Sequence, residues 1–514
     1  MIPTTHSLPP RATTCEHTDR PHRILPPRLL AGLCIVAGLA LAGCGKEPKR
    51  PNVLLVTLDT TRADFLSCYG APQGATPNLD ALAARGVRCE DAYVSASVTP
   101  VSHATIMTGR DNPEHGLRVL SGLSGYSLPP DVPTLATTLK EAGWNTAAIH
   151  SAFPVSGYFG FQRGFDRFES FDGVLQTSQA GTMSWDLQKL QRRSDETTGL
   201  VLDELARDER PFFLWIHYWD PHDPVKLPPA EHLPASLPRD ARGLLLPTRE
   251  LYAAEVSYVD RQFARVLADL EERGELEDTI IVVVADHGEG LGDHGWDFHR
   301  ILYQEQVRTP LILAGPGVPR AVVGQTVRSA DIAPTIWDLV GVSTPEGGSG
   351  RSLRPMWEGK ETAGRSAFMD QINGYDLNAK MVEARPQDAF LYAVVDTGWK
   401  LIWRPHMPDA SELYDLRADP RETRNLYATE RAQAVRLQKL LASRGGFVTA
   451  PFPSQGGGDA AAVRSALANL GYAGGASAYI DAAWAWFCPD HPEVREQELL
   501  PCRKCGAPPL VIAR

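Results

Sequence analysis

"TIIVVVADHGEGLGDHG", residues 279–295, decides the fold. From Ile280 to Ala285 the run is wholly apolar and rich in β-branched residues; it then breaks at Asp286, His287 and a series of glycines. A short run with no polar alternation suits a strand covered on both faces. Two other stretches repeat the pattern. "NVLLVTLDTTRADFLSCYG", residues 52–70, runs apolar up to Asp59, and "PFFLWIHYWDPHDP", residues 211–224, leads into His217, Asp220 and His222. Between the second and third strands, "LYAAEVSYVDRQFARVLADLEERG", residues 251–274, carries Tyr252, Val256, Val259, Phe263, Val266 and Leu270 at helical spacing. Strands alternating with such helices predict an α/β domain built on a largely parallel sheet flanked by helices. In such sheets functional groups collect beyond the carboxyl ends of the strands. Asp59, His217, Asp220, His222, Asp286 and His287 all fall there.

The chain around this core has 514 residues, enough for more than one domain, with 43% hydrophobic and 22% charged residues. A net charge of −11 lacks the basic footprint of a general nucleic-acid binder, so no nucleic-acid partner is expected. Near the N-terminus, Arg20, Arg23 and Arg28 precede the apolar run "LLAGLCIVAGLALAGC", residues 29–44. That run is short for a membrane span and suits a signal peptide. Its end, Leu41-Ala42-Gly43-Cys44, resembles a bacterial lipobox, which implies cleavage before Cys44, lipidation of that thiol, and a protein anchored to the membrane of a bacterial cell envelope. Cys68 and Cys89 either join in a disulfide or stay as buried thiols. Toward the C-terminus, "FLYAVVDTGWKLIWRP", residues 390–405, reads as a hairpin turning near Asp396-Thr397-Gly398, with a helix over 428–444 after it. This predicts a smaller α+β subdomain.

"SVTPVSHATIMTGR", residues 97–110, poses the functional question. Thr99 suits a helix N-cap, Pro100 the first turn, and Gly109 the stop. The same threonine is also a candidate nucleophile. Asp59, Asp286 and His287 offer the hard oxygens and imidazole that hold a metal ion. A sulfate- or phosphate-like centre then needs a nucleophile at the metal and cations around its other oxygens. Thr99 fits the first role, and His103, Arg110, His222 and His299 are candidates for the second.

The chain resembles the sulfatase branch of the alkaline phosphatase superfamily. The carrying segments are "VLLVTLDTTRADFLSCYG", "TPNLDALAARGV", "TPVSHATIMTGR", "GFDRF", "FFLWIHYWDPHDP", "VVVADHGEGLGDHG", "LYQEQVRTPLILAGPG", "SADIAPTIWDLVG" and "ELYDLRADPRETRNL", in family order from about residue 52 to 427. The resemblance implies a sulfatase-like catalytic domain over 52–360 and a C-terminal subdomain over 361–450. A signal peptide (1–43) and a tether (44–51) precede them, and a linker (451–483) follows. It also implies a divalent metal (Ca, Mn or Zn) at Asp59, Thr99, Asp286 and His287, and hydrolysis of sulfate or phosphate/phosphonate esters.

The departures bear on mechanism. The family signature begins with a Cys or Ser that is oxidised to formylglycine; here Thr99 holds that position, and a secondary alcohol cannot become an aldehyde. His103 stands at the signature arginine, Val101 at its proline, His299 at a family lysine, and Thr60 at the second aspartate of the metal pair. The mixture resembles superfamily members that use a threonine alkoxide directly. It therefore implies no formylglycine, a Thr99 nucleophile, and supporting roles for His103, His222 and His299. Two alternatives stay open: an envelope phosphoglycerol- or phosphoethanolamine-type transferase, and a catalytically weak anion-binding member.

A second cluster closes the chain. "WFCPDHPEVREQELLPCRKCGAPPL", residues 486–510, holds Cys488, His491, Cys502 and Cys505 in the pattern C-x₂-H-x₁₀-C-x₂-C. Two tight turns of soft ligands suit a tetrahedral Zn²⁺, and 484–514 reads as a zinc-ribbon-like tail that resembles a small heavy-metal-binding module.

Overall fold

The computed structural model describes residues 49–119, 127–169, 190–222, 226–374, 381–445 and 447, and the backbone alone of 175–177, 183–185, 379–380, 486–488 and 491–496. The leader, Cys44, Cys502 and Cys505 lie outside the described residues.

Eight strands form the central sheet: β1 (Asn52–Leu58), β2 (Val87–Tyr93), β3 (Asn145–His150), β4 (Arg167–Glu169), β5 (Phe212–Tyr218), β6 (Thr279–Ala285), β7 (Arg308–Ala314) and β8 (Ala321–Arg328). Their order is β8-β2-β7-β6-β1-β5-β3-β4. Every pairing is parallel except the two made by β7. The three apolar runs are neighbours, β6-β1-β5, at the middle of the sheet.

The absence of polar alternation has a visible cause. In β1, Val53 and Leu55 face one core, while Leu54, Val56 and Leu58 face another. In β6, Ile280, Val282 and Val284 join the first core, and Ile281, Val283 and Ala285 the second. Each large aliphatic side chain buried in this way contributes about 1.5–3 kcal/mol. The first core also takes Val101, Ala104, Ile106 and Met107 of the helix Thr99–Thr108. The second takes Tyr252, Val256, Val259, Phe263, Val266 and Leu270 of the helix Arg249–Glu272, the stripe read from the sequence. That helix starts two residues earlier than the periodicity implies, because the Thr248 side chain accepts from the Leu251 amide at 3.2 Å.

The C-terminal part forms an antiparallel sheet of β9 (Ala367–Gln371), β10 (Leu391–Asp396), β11 (Trp399–Trp403) and β12 (Glu412–Asp415), in that order. Its β10–β11 hairpin turns at Thr397 and Gly398, both left-handed (φ 50° and 80°), as a two-residue loop demands. The helix Arg431–Arg444 follows. Cys68 and Cys89 are free thiols, which settles the alternative left open above. Among the described residues no helix is long and apolar enough to cross a membrane. In the tail, Trp486–Cys488 pairs antiparallel with His491–Glu496, with Cys488 opposite His491 along the backbone.

Candidate active site

Parallel register brings the ends of β1, β5 and β6 to one edge. Leu58 pairs with Tyr218 on one side and Ala285 on the other, so Asp59 and Asp286 leave the sheet side by side, with Trp219 to His222 beyond Tyr218. The Asp59 amide donates to Tyr218 O at 2.8 Å. Asp59, Asp286 and His287 are fully buried, and their ligand atoms lie within 4.8 Å of one another.

The helix Thr99–Thr108 is buried along its whole length and ends against this edge. Thr99 does not cap it. Val98 occupies the cap position, and no side chain caps the first turn. The Thr99 hydroxyl instead lies 3.3 Å from His287 Nε2 and close enough to Asp59 to favour its charged form. The neighbouring hydroxyls have other partners: Ser97 Oγ donates to Ile301 O at 2.7 Å, and Ser102 Oγ to Asp286 O at 2.5 Å. Gly109 ends the helix at φ 65°, and a Cβ there would meet Pro334 Cδ at 2.8 Å.

Hydrogen bonds assign the protons. His287 Nδ1 lies 2.9 Å from Gly288 O, which only accepts, so Nδ1 carries the hydrogen and Nε2 offers a lone pair toward Thr99. His103 Nδ1 likewise donates to Thr99 O at 2.8 Å. Burial pushes the His103 imidazole down to about 3, and burial with neighbouring imidazoles holds His217, His222 and His287 well below the usual histidine range. These are neutral rings, lone-pair or hydrogen donors rather than the cations expected at His103 and His222. Arg110 is not a site residue either: its guanidinium donates to Glu346 O at 2.7 Å.

His222 stacks on Trp219 with ring centroids 3.8 Å apart and lies 5.1 Å from His299, which lies 4.8 Å from His287. The structure therefore brings Asp59, Thr99, His103, His222, Asp286, His287 and His299 together. It adds two groups to which sequence reasoning gave no role. His217 Nε2 donates to Asp59 Oδ2 at 3.0 Å, and the buried Glu289 accepts from His299 Nδ1 at 3.2 Å. Their strand-end and post-strand positions were the only sequence signal. Asp293, by contrast, pairs with Arg62 and Arg249, and Arg62 with Asp64, as loop-ordering contacts.

The carboxylates carry the electrostatic signature of a cation site. Burial, then the charges of Asp286 and Glu289, push Asp59 well above the usual carboxylate range, and burial does the same to Asp286. Asp286 Oδ1 accepts from the Thr60 and His287 amides, whereas Asp286 Oδ2 and Asp59 Oδ1 are buried and accept no hydrogen bond. Thr60 holds a left-handed φ of 47°, unusual for a β-branched residue, and its buried Oγ1 has no partner. Two unsatisfied carboxylate oxygens beside a neutral imidazole lone pair fit a divalent cation.

The sulfatase family profile matches residues 51–342, more than half of the chain. The chain belongs to the sulfatase family. A second profile, the C-terminal region of N-sulphoglucosamine sulphohydrolase, matches residues 292–444. Sulfatases use a divalent metal at this site and are ester-bond hydrolases, and this chain is one by its family. It is 27% identical to an N-acetylglucosamine-6-O-sulfatase of Bacteroides thetaiotaomicron, over 79% of this chain and 88% of that one. It is also 27% identical to the multifunctional alkaline phosphatase superfamily protein PehA of Trinickia caryophylli, over 73% of this chain and 91% of that one. The fold is shared with the phosphonate monoester hydrolase of Agrobacterium radiobacter, with a TM-score of 0.59 at 23% identity, covering 77% of this sulfatase and 95% of that chain.

Proposed function

We propose that this sulfatase hydrolyses sulfate or phosphate/phosphonate esters with Thr99 Oγ1 as the nucleophile and without formylglycine. The observation that carries the reading is the Thr99 hydroxyl, 3.3 Å from His287 Nε2 and excused from capping its own helix. Ser97 and Ser102, the other hydroxyls of the segment, are committed to carbonyl oxygens. Asp59, Asp286 and His287, with Thr99 beside them, would hold a divalent cation, which supplies the positive charge that favours a threonine alkoxide at neutral pH and offsets negative charge on the ester oxygens.

The protein's own groups then divide the work. Thr99 Oγ1 gives up its proton and attacks sulfur or phosphorus as the bond to the leaving oxygen breaks. His222 donates a hydrogen bond to a non-bridging oxygen. His299, oriented by Glu289, hands a proton to the leaving oxygen. Water then cleaves the covalent threonine ester. His103 and His217 orient the site through Thr99 O and Asp59 Oδ2. Similarity to both a sulfatase and a multifunctional superfamily protein supports keeping both ester classes in the substrate range.

Two further parts of this reading rest on sequence: anchorage at the bacterial envelope through a lipidated Cys44, and zinc in the tail at Cys488, His491, Cys502 and Cys505. The central test is Thr99→Ala against aryl sulfate, phosphate diester and phosphonate monoester substrates, with divalent metals varied. A loss of roughly 10⁴-fold or more in kcat is expected. Stability should change by less than about 1 kcal/mol, because no cap is removed. A slow substrate should leave a sulfo- or phospho-adduct on the Thr99 peptide. Full activity of Thr99→Ala, or an adduct on Ser97 or Ser102, would overturn the assignment.

A further inference from the structure

Two of the segments that carry the family resemblance, "GLGDHG" and "ELYDLRADPRETRNL", have no part in the chemistry above, yet the fold brings them together. The loop between β6 and β7 begins with Asp286 and His287 and reaches His299 near its far end. Midway, His294 turns away from the site toward the C-terminal subdomain. It adopts a left-handed backbone (φ 50°, ψ 27°), and its ring stacks on Tyr303, with centroids 3.8 Å apart and planes within 3°. His294 Nδ1 lies 2.9 Å from a Glu305 carboxylate oxygen, and Nε2 lies 3.2 Å from the main-chain oxygen of Glu422.

Both partners can only accept, so both ring nitrogens carry hydrogen and the ring is an imidazolium. For the same reason His294, Glu305 and Glu422 are not a cation site. Each partner is itself held. Glu422, also left-handed at φ 55°, lies in a fully buried ion pair with Lys400 at 2.8 Å and accepts from the Gln304 amide at 2.6 Å. Tyr303 donates to Glu412 of β12 at 2.9 Å, and Arg385 donates to His294 O at 3.2 Å. On the loop's other side, Asp293 is clasped by Arg62 and Arg249.

We propose that His294 is a positioning residue that acts as a charged clasp, tying the loop that carries Asp286, His287 and His299 to the C-terminal subdomain, and that loss of its proton loosens that loop. A neutral imidazole has one N–H. It must release either the Glu305 carboxylate or the Glu422 carbonyl, and it loses its charge attraction to Glu305.

The groups facing the ring are Glu305, Glu422 with its Lys400 partner, Tyr303, Arg385 and the neighbouring Asp293. Burial opposes the charge, and Glu305 and Glu422 outweigh it, so the His294 imidazolium persists above the usual histidine range. A raised folded-state value means the clasp is complete below the ordinary imidazole range and is lost as pH rises through the folded value.

The test is hydrogen exchange by mass spectrometry on the full, metal-loaded chain, read on peptides covering 288–303 and corrected for intrinsic rates. No turnover is needed, so failure of this inference and failure of the Thr99 reading are distinguishable. Between about pH 6 and pH 9 the wild-type peptide should lose protection by roughly tenfold or more. His294→Asn should be unprotected at both values. His294→Lys, which keeps a permanent charge and several donors, should be protected at both, and should lack the alkaline fall in kcat that the wild type shows with unchanged KM. Glu305→Gln, which leaves the ring in place, should shift the loss of protection to lower pH and covers the case of a His294 variant that does not fold. Equal protection of wild type at both pH values, or wild-type protection in His294→Asn, would overturn the proposal.

Discussion

Replacing Asp59 by Asn should stabilise the metal-free protein while abolishing its response to metal. The carboxylate oxygens of Asp59 and Asp286 sit within 4.8 Å in a buried setting. At an effective dielectric of about 20, two full charges at that distance repel by about 3.5 kcal/mol. Without a cation the pair escapes part of this by taking up protons, so removing one charge should recover about 1–3 kcal/mol. Asparagine keeps an oxygen to accept from His217 Nε2, so the substitution costs no hydrogen bond there. At roughly 2–4 °C per kcal/mol, the metal-free Tm should rise by several degrees. The sign with pH follows from the raised carboxylates, because the folded state binds more protons than the unfolded one. Metal-free wild type should therefore lose stability as pH rises above the ordinary aspartate range, and Asp59→Asn should flatten that slope. Added Ca²⁺, Mn²⁺ or Zn²⁺ should reverse the ranking, since binding to the native state stabilises wild type alone. Scanning calorimetry with and without chelator across a pH series reads all three effects. A variant less stable than wild type without metal, yet still raised in Tm by metal, would refute the cation-site reasoning.

Other consequences are checked more simply. Gly109→Ala forces a side chain into a left-handed position against Pro334, so it should cost about 1–3 kcal/mol in denaturant unfolding and reduce activity by disturbing the Thr99 helix. Cys44→Ala should leave an unprocessed precursor without acyl label, seen by gel shift and labelled-palmitate incorporation; normal acylation of that variant would remove the lipobox assignment. Removal of residues 484–514 should abolish tail-bound zinc, measured by elemental analysis, and spare kcat, because the main site is complete without the tail.

Much of this protein was legible from local pattern. Unbroken apolar runs in β1, β5 and β6 predicted strands covered on both faces, and the polar residues ending each run predicted where chemistry would gather. Strand termination is a local property, so Asp59, Asp286 and His287 could be named from spacing and resemblance. The role of Thr99 could not. Thr99 before Pro100 reads as a cap, and only the placement of His287, 188 positions later, shows where the hydroxyl faces. The same limit hid His217 and Glu289 and misled the reading of Arg110, whose partner is a loop carbonyl 236 positions away. Charge states were equally out of reach. His103 and His222 looked like cations on paper, but burial makes them neutral, while His294 is charged because two acceptors from separate parts of the chain converge on it. The amino-acid order determined the strands, the helices and the set of polar residues at the sheet's edge. Tertiary packing alone decided which of those groups meet and which lose water, because proton positions depend on partners and burial that no local spacing encodes.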